Sequence, residues 1–538
     1  MAKGDGFGRE VMVPRGGRSV AATSASVRRD RAPRTWLDRV IGLVSPSREA
    51  ARVAARIRVE TMLRAYDGAA GGRRFDGWPA PSTSADTEIG LSLARLRARC
   101  RDLTRNNPHA KRAVTVWTTN LVGDGIVPRA KTGDAALDER VNALFAEFVE
   151  TCDAAGQLDF YGLQTLLTRG MIDGGEMLIR RRWRRGDDGL PVPVQFQVME
   201  GDHLDHNKTN TFDSGARIVQ GVEFDAIGNR SAYWLFRDHP GDSFPSFRDG
   251  LVSRAVPASE VAHLYLKERT QTRGVPWGHA VLQRLRDLDD YEDAEIMRKK
   301  VEACVVAFVV GQTPEELEDG AALTPEVTNQ NGVKIEKFEP GLIARTTGAT
   351  DVKFNSPSGP GGFPQYIKVG LHSIAAGYDL PYSLLSGDLA DVNFTSSRVG
   401  LVEFRRLATQ RQWQCLVPMA CQPMWDWFVE AAQLAGKLPM QPIPCEWQPP
   451  AFESVNPLDD ANADMVNVRS GKVTMPELIA KTGRNPDDVL AEHIEWKKKV
   501  DAAGLVFDSD PSKVARAGTE QPSITASGQP APRAAPEA

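Results

Sequence analysis

Four groups of side chains in this sequence have the types and spacing to do chemistry. The densest is Glu200-Gly-Asp202-His203-Leu-Asp205-His206. Carboxylates and imidazoles this close could bind a hard or borderline metal ion. The competing reading is a polar turn after a strand at Val194–Met199, where alternating directions would keep the four side chains from converging. The second group is Asp287-Leu-Asp289-Asp290-Tyr-Glu292-Asp293-Ala-Glu295, followed by Arg298-Lys299-Lys300. Carboxylates at i, i+3 and i+4 of a helix could hold the two metals of a nuclease. An acidic first half and a basic second half also suit the helix dipole, i,i+4 pairs, or charge pairing between subunits. The third is a run of arginines near the start, including Arg28, Arg29, Arg31 and Arg34, which could neutralise phosphates or dock an acidic partner. The fourth, Trp413, Trp425, Trp427 and Phe428, could stack on bases, but in so apolar a stretch core packing is the expected role. No G-x-x-x-x-G-K-[ST], G-x-S-x-G or H-E-x-x-H motif is present; Gly471-Lys472-Val473 is not a phosphate loop. ATP-driven motors and hydrolases lose weight accordingly.

The elements that must position these groups are those of a large globular chain. The 538 residues are 41% hydrophobic and 25% charged, roughly three to four domains' worth of ordinary composition. The net charge of −4 conceals an asymmetry. Residues 1–74 hold 16 Lys/Arg against 7 Asp/Glu, and the remainder holds 50 against 63. Six scattered cysteines, none in a C-x-x-C pair, predict reduced thiols and no zinc ribbon. No signal peptide is expected, and no stretch reaches the ~18 apolar residues of a membrane span.

Residues 1–34 read as a mobile basic arm, and Trp36–Tyr66 as two short amphipathic helices before a linker to residue 87. Helices are expected at Glu88–Asn106, His109–Val122, Asp134–Thr151 and Leu158–Asp173. Alternation predicts strands at Glu176–Trp183, Val192–Met199, Ile218–Phe224, Ser231–Phe236 and Val261–Tyr265, an α+β module with antiparallel pairing. A long charged helix follows at Val281–Val301, about 30 Å in length. Then come a β-rich stretch between 304 and 360, helices at Pro364–Tyr378 and Thr395–Val417, a break or kink at Pro418, and a polar helical region from Ser454 to Val506. Residues 508–538 read as a disordered tail.

Five segments in this order resemble the phage portal proteins of the lambda family. They are Arg101-Asp-Leu-Thr-Arg-Asn106-Asn107-Pro108 with Gly123-Asp-Gly125-Ile; Gly221-Val-Glu-Phe224 to His239-Pro240-Gly241-Asp242; Arg273-Gly274-Val-Pro276-Trp277-Gly with Asp287–Glu295; Glu339-Pro340-Gly341 with Ile374 to Asp388; and Asn393-Phe-Thr-Ser396-Ser397-Arg398 to Arg406. The match spans residues 88–410, with Phe394 and Thr395 standing where the family often has Tyr and Ser. The resemblance implies an α+β portal fold: a basic mobile arm and linker (1–87), a wing (88–265), a first stem helix (266–303), a β-rich clip (304–362), a second stem helix (363–380), a tunnel loop (381–394), a long kinked helix returning to the wing (395–453), a helical crown (454–507) and a disordered tail (508–538).

It implies, too, a non-enzymatic ring of about twelve subunits, closed by head-to-tail contacts, at one capsid vertex in the virion after assembly in a bacterial cytoplasm. Double-stranded DNA would pass through it without sequence readout. Terminase large subunit, major capsid or scaffold protein and head–tail adaptor would be its protein partners, and no cofactor, metal or membrane is implied. Ser386, Asp388, Asp391 and Asn393 would belong to the tunnel loop or channel. Asp287, Asp290, Asp293, Glu295, Arg298 and Lys299 would meet a neighbouring subunit at the stem. Duplex DNA carries one charge per about 1.7 Å, so an acidic body suits a weakly repelling bore rather than a binding groove. The alternative from another class is a metal-dependent DNA-processing nuclease using the carboxylates of the first two groups.

Overall fold

The computed structural model describes residues 82–243, 251–303, 362–390, 393–454 and 456–505, with the backbone of five strands between 307 and 354. The chain divides into two compact units, Met1–Ser82 and Thr83–Ala538. The described helices and strands belong to the second. The arm, its two expected helices and the tail lie outside the described residues.

Local chemistry sets the first helices. α1 (Ala85–Asn106) starts three residues earlier than the apolar spacing suggests, because Ser84 accepts from the Thr87 amide and caps it. Asn107 ends α1 and caps α2 (Pro108–Val122), accepting from the His109 and Ala110 amides, with Pro108 in the first turn. Strand β1 (Val127–Ala130) follows. Asp134 and Asp159 cap α3 (Ala135–Val149) and α4 (Phe160–Gly174). The inward face of α1 is Leu93, Arg97, Cys100 and Thr104, while Leu91 is 90% exposed.

β2 (Glu176–Trp183) is the central strand of a three-stranded antiparallel sheet, flanked by β3 (Val194–Glu200) and β9 (Val261–Tyr265). Met177 and Ile179 join the main core with α2, α3 and α4, while Leu178 points to the other face and a second core. That second core, with Met199, Leu204, Val222, Tyr233, Leu235 and Val256, is shared with a five-stranded sheet. Its strands are β4 (Asn210–Thr211), β5 (Arg217–Val219), β6 (Val222–Phe224), β7 (Arg230–Leu235) and β8 (Arg254–Pro257). The single strand expected at Ile218–Phe224 is therefore two strands folded back on each other. Gln220 and Gly221 both have positive φ, 48° and 86°, and reverse the chain between them. A Cβ on Gly221 would sit 2.6 Å from the Asp205 carbonyl oxygen, so glycine is required there.

α5 (Leu282–Ala303) and α6 (Phe363–Gly377) pack antiparallel. Val281 lies against Gly377, Leu288 against Gly370, and Tyr291 against Phe363 and Tyr366. Between them β10 (Ala307–Gly311) pairs in parallel with β13 (Ile343–Arg345) and antiparallel with β14 (Ala349–Phe354). β11 (Val327–Thr328) pairs with β12 (Lys334–Ile335). After the short α7 (Tyr382–Ser386), α8 (Phe394–Arg411) runs on through Pro418. The expected break is absent because Gln412–Cys421 takes the wider i→i+5 winding before α9 (Gln422–Leu434). That winding leaves no i−4 hydrogen bond for the missing proline N–H to forfeit. Buried positions there recur every five residues, Cys415 with Ala420 and Leu416 with Cys421. Trp425 and Phe428 then enter the main core, and β15 (Cys445–Gln448) closes on β1. α10 (Pro457–Arg469), α11 (Met475–Lys481) and α12 (Pro486–Ala502) are largely exposed.

Candidate channel loop, stem surface and the charge network beneath them

The geometry begins at Glu176, the wholly buried first residue of β2. Its carboxylate accepts from Arg97 Nη2 (2.7 Å), His263 Nε2 (2.9 Å), Arg273 Nε (2.9 Å) and the Gly274 amide (3.0 Å). Burial alone would raise this carboxyl's pKa, but Arg273, the His263 donor and Arg97 hold it well below the usual range. His263 Nδ1 lies 3.1 Å from Arg230 Nη1, which can only donate, so the ring is neutral with its proton on Nε2. Burial accordingly pushes His263 down to about 4, against the pull of Glu176.

Arg273 also donates to the carbonyls of Gln220 (2.8 Å) and Gly201 (3.0 Å). The network thus ties α1, β2, β9 and the Gln220 turn to the segment that leads into α5. Close backbone approach completes it: a Cβ on Gly175 would lie 2.6 Å from the Pro276 nitrogen. Glu176, His263 and Arg230 carry no motif that sequence reading could have found. Arg273-Gly274 and Arg230 stand in segments that carry the family resemblance, but nothing in those segments points to Glu176 or His263.

A second junction lies where α2, α6 and α8 meet. Trp117 Nε1 donates to the Tyr378 carbonyl at 2.7 Å. The Trp117 ring packs edge-on against Trp277 and tilted against Phe404, each 5.0 Å between centroids. Arg411 lies 4.5 Å over Trp277 and pairs with Asp379 at 3.0 Å.

On α5, Asp287, Asp290 and Asp293 are exposed. Arg286 reaches Asp290 at 3.6 Å, and Arg298 donates to Glu295 Oε2 at 2.8 Å within the same helix. Lys299 is exposed near the helix end. A cleft of about 780 Å³ separates this helix from α6 and α7, lined by Glu292, Ile296, Phe363, Lys368, Tyr382 and Asp388.

The expected tunnel loop opens with the helical turn α7, closed by Gly387 in the left-handed region. Ser386 Oγ donates to the Tyr382 carbonyl (2.9 Å) and accepts from the Asp388 amide (3.1 Å). Asp388 accepts from the Ala390 amide at 3.0 Å and from the Tyr382 hydroxyl at 3.3 Å. Leu389 between them is 67% exposed. Asn393 is exposed and its carbonyl accepts from the Ser397 amide at the start of α8; Asp391 lies outside the described residues.

The metal readings fare differently from the surfaces. Glu200 and Asp202 do come together, with His239 rather than His203 or His206. Their charge is already met: Arg101 bonds Glu200 and Asp202, each at 2.8 Å, and Arg97 bonds Asp202 at 3.0 Å. Asp205 turns away to Ser253, and His203 Nδ1 lies 3.2 Å from the Phe236 carbonyl. The α5 carboxylates spread around the helix instead of converging. Trp425, Trp427 and Phe428 are core residues, while Trp413 is 47% exposed. The described cysteines are unpaired, and burial pushes Cys100, Cys152 and Cys415 up to about 12. No helix among the described residues is long and apolar enough to cross a membrane. Arg28, Arg29, Arg31 and Arg34 lie outside the described residues.

Comparison with known proteins gives four matches. The family model described as phage portal protein, lambda family, matches residues 71–412. The chain is 27% identical over 503 residues to the probable portal protein of Halomonas phage phiHAP-1, covering 88% of this chain and 93% of that one. It is 22% identical over 507 residues to portal protein B of Escherichia phage lambda, covering 83% and 92%. Among solved structures, a chain from the neck of a native gene transfer agent particle computed with C12 symmetry superposes with a TM-score of 0.41 at 14% identity, over 77% of this chain and 98% of that one.

Proposed function

The chain belongs to the lambda family of phage portal proteins, and from that premise we propose that it is one subunit of a ring set in a capsid vertex, through whose bore DNA enters the head and later leaves. Members of the family are structural proteins and not enzymes, and so is this one. The observation that supports the ring most directly is the α5–α6 pair. It stands as two antiparallel helices with a β-rich excursion at one end, and it leaves Ile296, Met297, Tyr366 and Val369 half or more exposed beside Asp287, Asp290 and Asp293. A narrow pair with so much uncovered apolar surface calls for neighbours along its length.

In this reading 88–265 is the wing, 266–303 and 363–380 are the stem helices, 304–362 is the clip and 381–394 the constriction. Residues 395–453 return to the wing and 454–507 form the crown. Asp287, Asp290 and Asp293 face basic groups of the next subunit, Arg298 and Lys299 among them, while Glu295 is engaged by its own helix. Ser386 and Asp388 hold the constriction loop in shape, and Asp391 and Asn393 present polar groups to the passing duplex. The clip meets the packaging motor and the adaptor that joins head to tail, and the wing meets the shell.

The test is the mass and symmetry of the purified protein, by light scattering and electron-microscope class averages. Closed rings with a central hole are expected, and D287K/D290K/D293K should reduce them to small oligomers. Rings indifferent to that triple reversal would sink the stem assignment. Cleavage of DNA by the wild type with Mg²⁺ would sink the portal reading itself.

A further inference from the structure

The wing holds a cationic cleft that the portal reading does not use. Arg180 and Arg182 stand two residues apart on β2, on the face away from the main core and both half-buried. Their neighbour Arg181 points the other way and is satisfied, by Glu260 at 2.6 Å and by Glu430. No carboxylate among the described residues pairs with Arg180 or Arg182. Glu260, whose charge acts on Arg180, has both oxygens engaged by Arg181. Burial, and then the like charge of Arg182, lower the pKa of Arg180, and the charge of Glu260 offsets them only in part. The two arginines form one wall of a cleft of about 800 Å³. Arg237 and Arg254 line it as well, and Asp238 is the one carboxylate among its described lining residues.

The opposite wall supplies a second, independent feature. Ala255 and Val256 of β8 line the same cleft. β8 pairs with β7 and, among the described strands, stands at the end of the five-stranded sheet, so its other edge offers main-chain carbonyls and, Pro257 apart, N–H donors.

We propose that this cleft binds an extended acidic segment of a partner protein, which adds to the β8 edge as a sixth strand and sets carboxylates against Arg180 and Arg182. The spacing fits. Residues i and i+2 of an extended chain are about 6.7 Å apart, which is also the repeat of Arg180 and Arg182 along β2, so acidic side chains at alternate positions meet successive guanidinium groups. A peptide can hydrogen-bond to a strand edge and place its side chains into the facing wall. A nucleic acid offers phosphates for the arginines but no peptide main chain for the edge.

The test measures fluorescence anisotropy of a labelled eight-residue peptide, alternating Asp and Val, on the full chain. Binding is expected, with at least tenfold weakening in R180S/R182S and retention within about threefold in R180K/R182K. N-methylation of alternate peptide amides, which removes edge hydrogen bonds but no charge, should also weaken binding at least tenfold. If R180S/R182S does not fold, the charge-retaining variant and the changes on the peptide still decide. Binding indifferent to N-methylation overturns the strand addition. Binding indifferent to R180S/R182S assigns the peptide to the basic arm and overturns the site. Displacement of the peptide by a single-stranded oligonucleotide at lower concentration makes nucleic acid the occupant and overturns the proposal.

Discussion

Glu176 ties three parts of the chain together, because donors from Arg97, His263, Arg273 and Gly274 converge on its two oxygens. Glu176→Gln keeps the shape but leaves the buried Arg273 without its carboxylate and Arg97 with Asp202 alone. Removing one partner of a buried ion pair costs about 3–5 kcal/mol, so the variant should shift the urea midpoint strongly or fail to fold. Protonation acts on the same centre. His263 takes up a proton near 6.5 when unfolded but only near 4 in the fold. The unfolded chain therefore holds more protons between those values, and this contribution to stability is complete above pH 6.5 and lost as pH falls toward 4. Asp173 works in the opposite sense. Burial raises it from 3.8 to about 6, against Arg101 and Arg169, so its neutral form favours the fold at low pH and that contribution is lost as pH rises through the same window. Asp173→Asn should raise stability at pH 7 by about 3 kcal/mol and make the acid loss between pH 6.5 and 4 steeper. Urea midpoints at pH 4.5, 5.5 and 7 would read both slopes.

At the scale of elements, the α5–α6 pair is set by glycines of unequal tolerance. A Cβ on Gly377 would overlap Val281, whereas one on Gly370 would lie 3.1 Å from a terminal methyl of Leu288 that can turn aside. Gly377→Ala should cost about 1–3 kcal/mol through overpacking and Gly370→Ala under 1, a contrast that thermal melts of the two variants would show. The same elements mark where sequence reading succeeds. Glu176–Trp183 and Val261–Tyr265 fall at their expected bounds, because each carries a short apolar run with no glycine or proline inside it. Sequence reading fails where distant partners decide. β1 and β15 are each four residues long and become strands only through pairing across more than three hundred positions. The Gln220 turn escapes it because glutamine rarely signals positive φ; here the buried Arg273 guanidinium binds its carbonyl and fixes it. In the site, the exposed carboxylates of α5 are legible from charge spacing, while Glu176 is invisible because its partners come from separate segments.

The whole molecule couples a body of net negative charge to a strongly basic first unit, 16 Lys/Arg against 7 Asp/Glu over residues 1–74. If Arg28, Arg29, Arg31 and Arg34 contact phosphates, DNA binding by the full chain should weaken with salt at a log–log slope of about −3 to −4. A chain beginning at Thr83 should lose that slope yet still close into rings; equal slopes for the two would remove the arm from DNA contact. The helical run from Phe394 to Leu434, which carries its extra winding in Gln412–Cys421, also bears on how such a protein can change over generations. Exposed positions there can be exchanged freely, but the number of residues cannot. Loss of one would turn everything downstream, Trp425 and Phe428 included, by about 100° and pull them off the core. In the proposed ring every copy would inherit the same defect, so a lineage of this protein should tolerate substitutions along that stretch while purging insertions and deletions.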